Sequence, residues 1–359
     1  MKIKTLDVPH GQLRLPLFMP DATFGVVRSL DMNDLLKCGV QALVMNIFHL
    51  MQRPGSSTIK TLGGLHSYSN WRYPIVTDSG GFQAYSLIRQ NPKLGTYTNK
   101  GIIFRRANRK IRLTPEKSVR LQLDYGSDVV ICLDDCTHPD EPYERQLESV
   151  TRTVDWARKC KLEFQQAIKR RKTFEDARPL LFAVVQGGAN SELRKECANS
   201  LLQMGFDGFG YGGYPIKSDG KLLSNIVKLT RDLIPSKFPM LALGVGQPEN
   251  IVECLRMGYE LFDSSMPTRD ARQGRLYSVQ DLRHLPKAGA RNSVSYIYIQ
   301  DVKHAKTKEP ISSRCDCLTC RNYSLAYLHH LFKINDCLYQ RLATIHNLTF
   351  ITSQIESAM

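Results

Sequence analysis

No apolar run in this 359-residue chain approaches the roughly 18 residues needed to cross a bilayer. The opening segment "MKIKTLDVPHGQLRLPLFMP" is polar and lacks the apolar core of a secretory signal. A cytoplasmic protein without a membrane partner is therefore expected. No G-x-G-x-x-G follows the first strand-like run, which counts against a dinucleotide-binding sheet. There is no internal repeat of fixed period. Acid is in deficit: 34 Asp+Glu stand against 49 Lys+Arg, a net charge of +15. That excess points to a polyanionic partner, nucleic acid first among them. No basic low-complexity tail exists. The positive charge is dispersed through "RRANRK" 105–110, "KRRK" 169–172 and "RDARQGR" 269–275, so folding must assemble any binding face.

What the chain does have is alternation. Short apolar runs at 41–48, 73–81, 127–135, 180–188, 205–213, 238–246 and 258–266 read as strands. Between them lie patterns with apolar residues at three- and four-residue steps, at 118–126, 143–171, 190–205, 224–234 and 248–258. Gly205 and Gly258 close two of these as helix caps. Repeated strand–helix units with buried strands predict an α/β fold, a (β/α)8 TIM-type barrel, with an open doubly wound sheet as the alternative. From about 295 the pattern changes: one more strand, a polar link, a cysteine cluster, then a helical segment from about 322 to 347. The expected division is a catalytic barrel over 1–294, a small zinc-binding subdomain over 295–347, and the end of the final helix over 348–359.

Ten cysteines are present, and seven are scattered as reduced, mostly buried thiols. The other three crowd into "CDCLTC" as Cys315, Cys317 and Cys320. Thiolates that close suit tetrahedral zinc, and one ligand is left to find among His329, His330, His346 and Cys337. His346 shares a helical face with Leu338 and Leu342 and can fold back on the knuckle. His329 and His330 follow Cys320 too closely to close a site easily. His346 is therefore the favoured fourth ligand. A full Cys3His set leaves no open position, so one structural Zn2+ per chain is expected.

In a closed barrel the C-terminal strand ends carry the chemistry. Here they read Asp78, Asp134, Gln186, Gly212–Gly213, Gly244/Gly246 and Asp263. Carboxylate, amide and backbone N–H together make the donor and acceptor mix that a purine's polar edge needs. In "TDSGGFQAYS", Gly80–Gly81 lets backbone approach a ligand, and Phe82 offers a flat face for stacking. In "LFDSSMPTRDARQG", Asp263 runs into a basic segment with Arg269 and Arg272.

These pieces, with "PLFMP", "NIFHLMQRPG", "LTPEKSV", "LGVGQPENIV" and "CDCLTCRNYSLAYLHHLF" followed by His346, run nearly end to end. Together they resemble the tRNA-guanine transglycosylase (queuine tRNA-ribosyltransferase) family. The resemblance implies a pentosyltransferase that removes guanine from the wobble position of tRNA with a GUN anticodon. A 7-deazaguanine base takes its place, as in queuosine modification. It implies Asp263 as nucleophile on the ribose and Asp78 as general acid/base. It implies Asp134, Gln186, Ser79 and the Gly213 backbone as base readers, and Phe82 and Leu243 as the pair enclosing the base. It further implies Arg269 and Arg272 as RNA-facing, Cys315, Cys317, Cys320 and His346 as zinc ligands, and a homodimer. No ATP or redox cofactor is implied.

The residues agree with that chemistry. Exchange with retention on one ribose suits two displacements through a covalent intermediate, with one carboxylate as nucleophile and a second as acid, then base. The two carboxyls are expected to differ in pKa. "YPIKSDG" 214–220 departs from the family pattern where the side chain of the incoming base is read, near Ser218 or Asp219. The choice between 7-aminomethyl-7-deazaguanine and queuine stays open. The alternatives are a non-catalytic RNA-binding paralogue and base exchange on another nucleic acid.

Overall fold

Eight short runs, each too apolar to leave in water, pair in parallel around a common axis. They are β1 (Leu17–Pro20), β2 (Leu43–Asn46), β3 (Ile75–Asp78), β4 (Val129–Ile131), β5 (Leu180–Val185), β6 (Gly208–Tyr211), β7 (Met240–Ala242) and β8 (Leu261–Ser264). The computed structural model describes residues 5–106, 109–171, 178–217, 220–279 and 294–358. The strand order is β1-β8-β7-β6-β5-β4-β3-β2. An Asp21–Val44 bridge, with Ala22 N–H donating to Val44 O at 2.7 Å, joins β1 to β2 and closes the ring. This is the expected barrel. Sequence patterning had found seven of its strands. The missed one, β1, sits at the end of a segment that reads as polar.

Side chains alternate along each strand and divide the apolar residues between two cores. Leu17, Met19, Val44, Val76, Val129, Ile131, Phe182, Val184, Leu241 and Leu261 fill the barrel interior. Their neighbours, such as Phe18, Leu43, Ile75, Val130, Leu181 and Phe262, face the surrounding helices. The antiparallel hairpin Thr5–Val8/Gly11–Arg14 adds Leu6, Val8 and Leu13 to the inner core and covers the N-terminal end of the barrel. Asp128, just before β4, takes the N–H and Nδ1 of His10 from that hairpin, each at 2.8 Å. The C-terminal end is left open.

The expected helices form, among them Tyr143–Arg171, Ser191–Met204 and Pro248–Met257, with Gly205 (φ 74°) and Gly258 (φ 97°) ending the last two. The long helix Tyr143–Arg171 buries Trp156 and Cys160 completely. Beyond β8, helix Met266–Arg272 leads into an antiparallel hairpin, Arg275–Val279 with Val294–Tyr298. The single helix expected from about 322 to 347 is instead two, Leu325–Lys333 and Cys337–Glu356, with a short helix Leu318–Asn322 ahead of them. Asn335 adopts a left-handed conformation (φ 56°) that ends the middle one. Asp336 then caps the third by accepting from Leu338 N–H at 2.8 Å.

The last helix is stitched to the barrel by one buried side chain. Asn347 accepts from Tyr277 N–H at 3.0 Å. It donates to Pro267 O at 3.1 Å and Arg275 O at 3.0 Å. Asn347→Ala strands three buried backbone groups and is expected to cost about 3 kcal/mol in equilibrium urea unfolding. A loss under about 0.5 kcal/mol would mean that the apolar face of this helix suffices to hold it.

Candidate active site at the barrel mouth

Alternation fixes what rims the open end. Continuing the inward-facing parity of each strand past its last inner-core residue gives Asp21, Asn46, Asp78, Leu133, Gln186, Gly212, Leu243 and Asp263. Asp134 joins them from the segment after β4, buried with 9% of its surface exposed. The fold thus brings Asp263, Asp78, Asp134, Gln186, Gly213, Leu243, Ser79 and Phe82 to the mouth or the elements bordering it. Their roles were expected from the sequence; their placement follows from the fold.

Asp78 and Asp263 stay partly exposed, yet both are deep in the mouth. Asp78 accepts from Asn46 Nδ2 at 2.7 Å, and Asp263 accepts from Gly244 N–H at 3.2 Å. Gln186 Nε2 donates to Asp134 at 2.6 Å. The Gln186 Oε1 is buried and has no partner among the described residues, so the pocket presents an acceptor ready for a ligand donor. Two glycines are required here by space. A Cβ at Gly81 would lie 2.8 Å from Asp134 O, and one at Gly212 would lie 2.6 Å from Gln186 Nε2. Ser79 is fully buried and accepts from Gly81 N–H at 3.3 Å, so it shapes the Gly80–Gly81 turn. Phe82 is 40% exposed on the next helix, its ring 5.2 Å from that of Tyr214. Leu243 packs on the upper inner core.

Burial dominates the electrostatics. It pushes the Asp78 carboxyl up to about 6 and those of Asp134 and Asp263 up to about 7. The hydrogen bonds just named pull the other way, and the charge of Asp78 raises both of its neighbours further. The expected separation between Asp78 and Asp263 is therefore not met: desolvation moves both the same way. Cys136, buried beside the pocket, has its thiol held far above the ordinary value by burial, which suits packing rather than reactivity.

Arg269 is exposed and Arg272 half-buried on helix Met266–Arg272. One Arg272 guanidinium nitrogen is enclosed with no partner among the described residues.

Away from the mouth, Cys315, Cys317, Cys320 and His346 form a group whose ligand atoms all lie within 4.8 Å of one another. His346 Nε2 donates to Tyr277 O at 2.7 Å. That leaves the Nδ1 lone pair facing the sulfurs, at 3.3 Å from Cys320, 3.6 Å from Cys317 and 3.7 Å from Cys315. The tautomer is the one a metal ligand needs, fixed by the outer hydrogen bond. Among the other possible fourth ligands, His329 is bound to Ile299 O at 2.6 Å, and His330 and Cys337 are exposed.

A family model described as queuine tRNA-ribosyltransferase matches residues 1–358. The chain belongs to the queuine tRNA-ribosyltransferase family. Proteins carrying that name are 36% identical in Thermoanaerobacter pseudethanolicus, over 99% of this chain and 88% of theirs. In Actinobacillus pleuropneumoniae serotype 3 the identity is 36%, over 99% of this chain and 88% of the relative. In Pseudoalteromonas atlantica it is 38%, over 96% and 86%.

Several residues that shape this family member's mouth were absent from the sequence reading. Arg194 is fully buried and donates to Val185 O at 2.6 Å, Gly188 O at 3.0 Å and Gly212 O at 3.0 Å. It ties the loops after β5 and β6 together. Asp135 is clamped by Arg145 at 2.6 Å and by Arg152, which fixes the loop carrying Asp134 to helix Tyr143–Arg171. Asn46 and Asp21 could have been found from parity alone; Arg194 and Asp135 carried no signal, since their partners lie on other elements. "YPIKSDG" is described only in part, for Ser218 and Asp219 fall outside the described residues.

A folded carboxyl held above its ordinary value keeps its proton to higher pH than the unfolded chain does. Acid therefore favours the fold, and that advantage is lost as pH rises from about 4 through about 7. Asp263→Asn removes the penalty and is expected to raise stability by about 2 kcal/mol at pH 8. At about pH 4 the gain is expected to shrink to near zero. Urea unfolding of both proteins at the two pH values checks this; an equal effect at both would refute the burial argument.

Proposed function

We propose that this chain exchanges guanine at the wobble position of tRNA bearing a GUN anticodon for a 7-deazaguanine base. The observation that carries the reading is the ring itself: two partly exposed carboxyls on β8 and β3, with the hydrogen-bonded Asp134–Gln186 pair between β4 and β5. Asp263, ionised, attacks the anomeric carbon of the ribose as guanine leaves. Asp78 gives the departing base its proton and takes one from the entering base, and the ribosyl–Asp263 ester is cleaved by that second base. With both carboxyls raised toward neutrality, Asp78 can carry a proton to the departing base, and Asp263 must give up its own before it attacks. The Asp134 carboxylate and the unpartnered Gln186 Oε1 suit the N–H donors of a guanine edge, and the Gly213 N–H suits its carbonyl. Phe82 and Leu243 enclose the base faces, which offsets part of the cost of unstacking it. Arg269 and Arg272 hold the RNA backbone beside the nucleophile.

Cys315, Cys317, Cys320 and His346 would hold one zinc ion, which when bound supplies a closed tetrahedral cross-link and no reaction chemistry. In this reading the barrel spans 1–294, the zinc-bearing segment 295–347 and the end of the final helix 348–359. A cytoplasmic homodimer is the working form. The incoming base is 7-aminomethyl-7-deazaguanine or queuine.

The test is an exchange assay on a GUN-anticodon tRNA charged with radiolabelled guanine, chased separately with the two bases. Label loss is expected with one chase base, and Asp263→Ala is expected to lower its rate at least about 1,000-fold. Retention of label with every base would sink the proposal. Metal analysis should find one zinc per chain, and Cys317→Ala should lose it along with cooperative unfolding of the last three helices. Zinc that survives this substitution would count against the ligand set.

A further inference from the structure

The ring at the mouth holds one more carboxylate than the exchange reaction uses. Asp21 is the residue after β1, and β1 lies between β8 and β2 in the barrel. The register sets Asp263 opposite Met19 and Ser264 opposite Pro20, while Asp21 itself bridges to Val44 of β2. Leu17 and Met19 fill the inner core, so the same parity turns Asp21 toward the mouth. Going round the rim, Asp263, Asp21, Asn46 and Asp78 follow one another. Asp21 is therefore the side chain between the β8 carboxylate and the β3 side of the site. It is half-buried and accepts from the Thr23 hydroxyl. Its carboxyl is raised, by burial first, and its charge in turn disfavours ionisation of both Asp78 and Asp263. A third acid in such company weakens the fold, and residues kept at that cost cluster at functional positions.

The position tells which part of the substrate it meets. The base-reading groups lie on β4, β5 and β6, and Asp263 marks the anomeric carbon on β8. The rest of the nucleotide must then extend over β8 and β1. The cations agree: Arg272, which follows β8, lies close enough to Asp21 and Arg28 to feel both charges. An enclosed, unpartnered nitrogen of Arg272 on this side suits a phosphate oxygen. The sugar hydroxyl next to the anomeric carbon is the 2′-OH, a donor that needs an acceptor beside the nucleophile.

We propose that Asp21 reads the ribose by accepting a hydrogen bond from the 2′-hydroxyl of the nucleotide whose base is exchanged, so that the chain selects RNA over DNA at that position. The inference rests on the exchange reading above. A hydrogen bond from that hydroxyl strengthens as positive charge develops on the sugar in the transition state. Asp21 should therefore act on kcat more than on KM.

The experiment compares two RNA hairpins with a GUN loop, one all-ribose and one carrying a single 2′-deoxyguanosine at the exchanged position. Exchange of labelled guanine is measured with the unsubstituted chain, Asp21→Ala and Asp21→Asn. The unsubstituted chain is expected to prefer the ribose hairpin by about 10- to 100-fold in kcat/KM. Asp21→Ala is expected to lose that preference by slowing the ribose hairpin alone, mainly in kcat. Asp21→Asn, which keeps an acceptor oxygen, is expected to retain part of it. Melting temperature and zinc content of both variants exclude misfolding as the cause. Equal losses on both hairpins, or no loss on either, would overturn the assignment while leaving the exchange reaction intact. No exchange by the unsubstituted chain on any hairpin would overturn the exchange reaction, and the assignment with it.

Discussion

The inward and outward alternation of eight short parallel strands is the constraint on which the rest of this molecule depends. Each strand sends alternate side chains inward, and the lower ones are Leu, Val, Met, Ile or Phe on seven strands, with Gly208 and Gly210 on β6. The barrel interior is thereby filled from its hairpin-covered end upward. The next inward position on each strand meets solvent, and apolar residues have no reason to be there. Most of those positions hold Asp, Asn, Gln or Gly. The chemistry of the mouth is the last turn of a packing pattern, and for that reason it is rigid: each polar group stands on a strand whose lower half is locked in the core.

Crowding acids at such a rim has an electrostatic consequence. Desolvation raises Asp78, Asp134 and Asp263 together, and each ionised carboxyl makes the next harder to ionise. Protons become shared among the set near neutral pH. The arrangement is poor for stability and good for moving one proton between a leaving and an entering base while a neighbouring carboxylate attacks. Arg194 and the Asp135–Arg145–Arg152 clamp supply the opposing rigidity. They bind the loops behind the rim without adding charge to the pocket.

Much of this was legible in the sequence, and the reasons differ by region. Periodicity gave the helices within a residue or two where caps were strong, as at Gly205 and Gly258. It missed β1, which follows Pro16 directly and itself ends in Pro20, and with it Asp21. It merged the last helices into one, because the Ile334–Asp336 break depends on a left-handed Asn335 rather than on a Gly or Pro. Cys315, Cys317 and Cys320 pointed to a possible metal site by spacing alone, and the structure brings them together with His346. His346 could be favoured only from its helical face; its Nε2 bond to Tyr277 O, which leaves Nδ1 facing the sulfurs, crosses 69 residues of sequence. Arg194 carried no sequence signal and is wholly buried.

The central claim is that Asp263 carries the ribose during exchange, and it is most directly tested by trapping the adduct. End-labelled RNA hairpin is mixed with the protein without added base, quenched in denaturant and resolved on a denaturing gel. The account predicts a labelled protein band with the unsubstituted chain, chased away by added 7-deazaguanine, absent in Asp263→Asn and mapping to the peptide containing Leu261–Ser264. A band that persists in Asp263→Asn, or maps to Asp78, would contradict it.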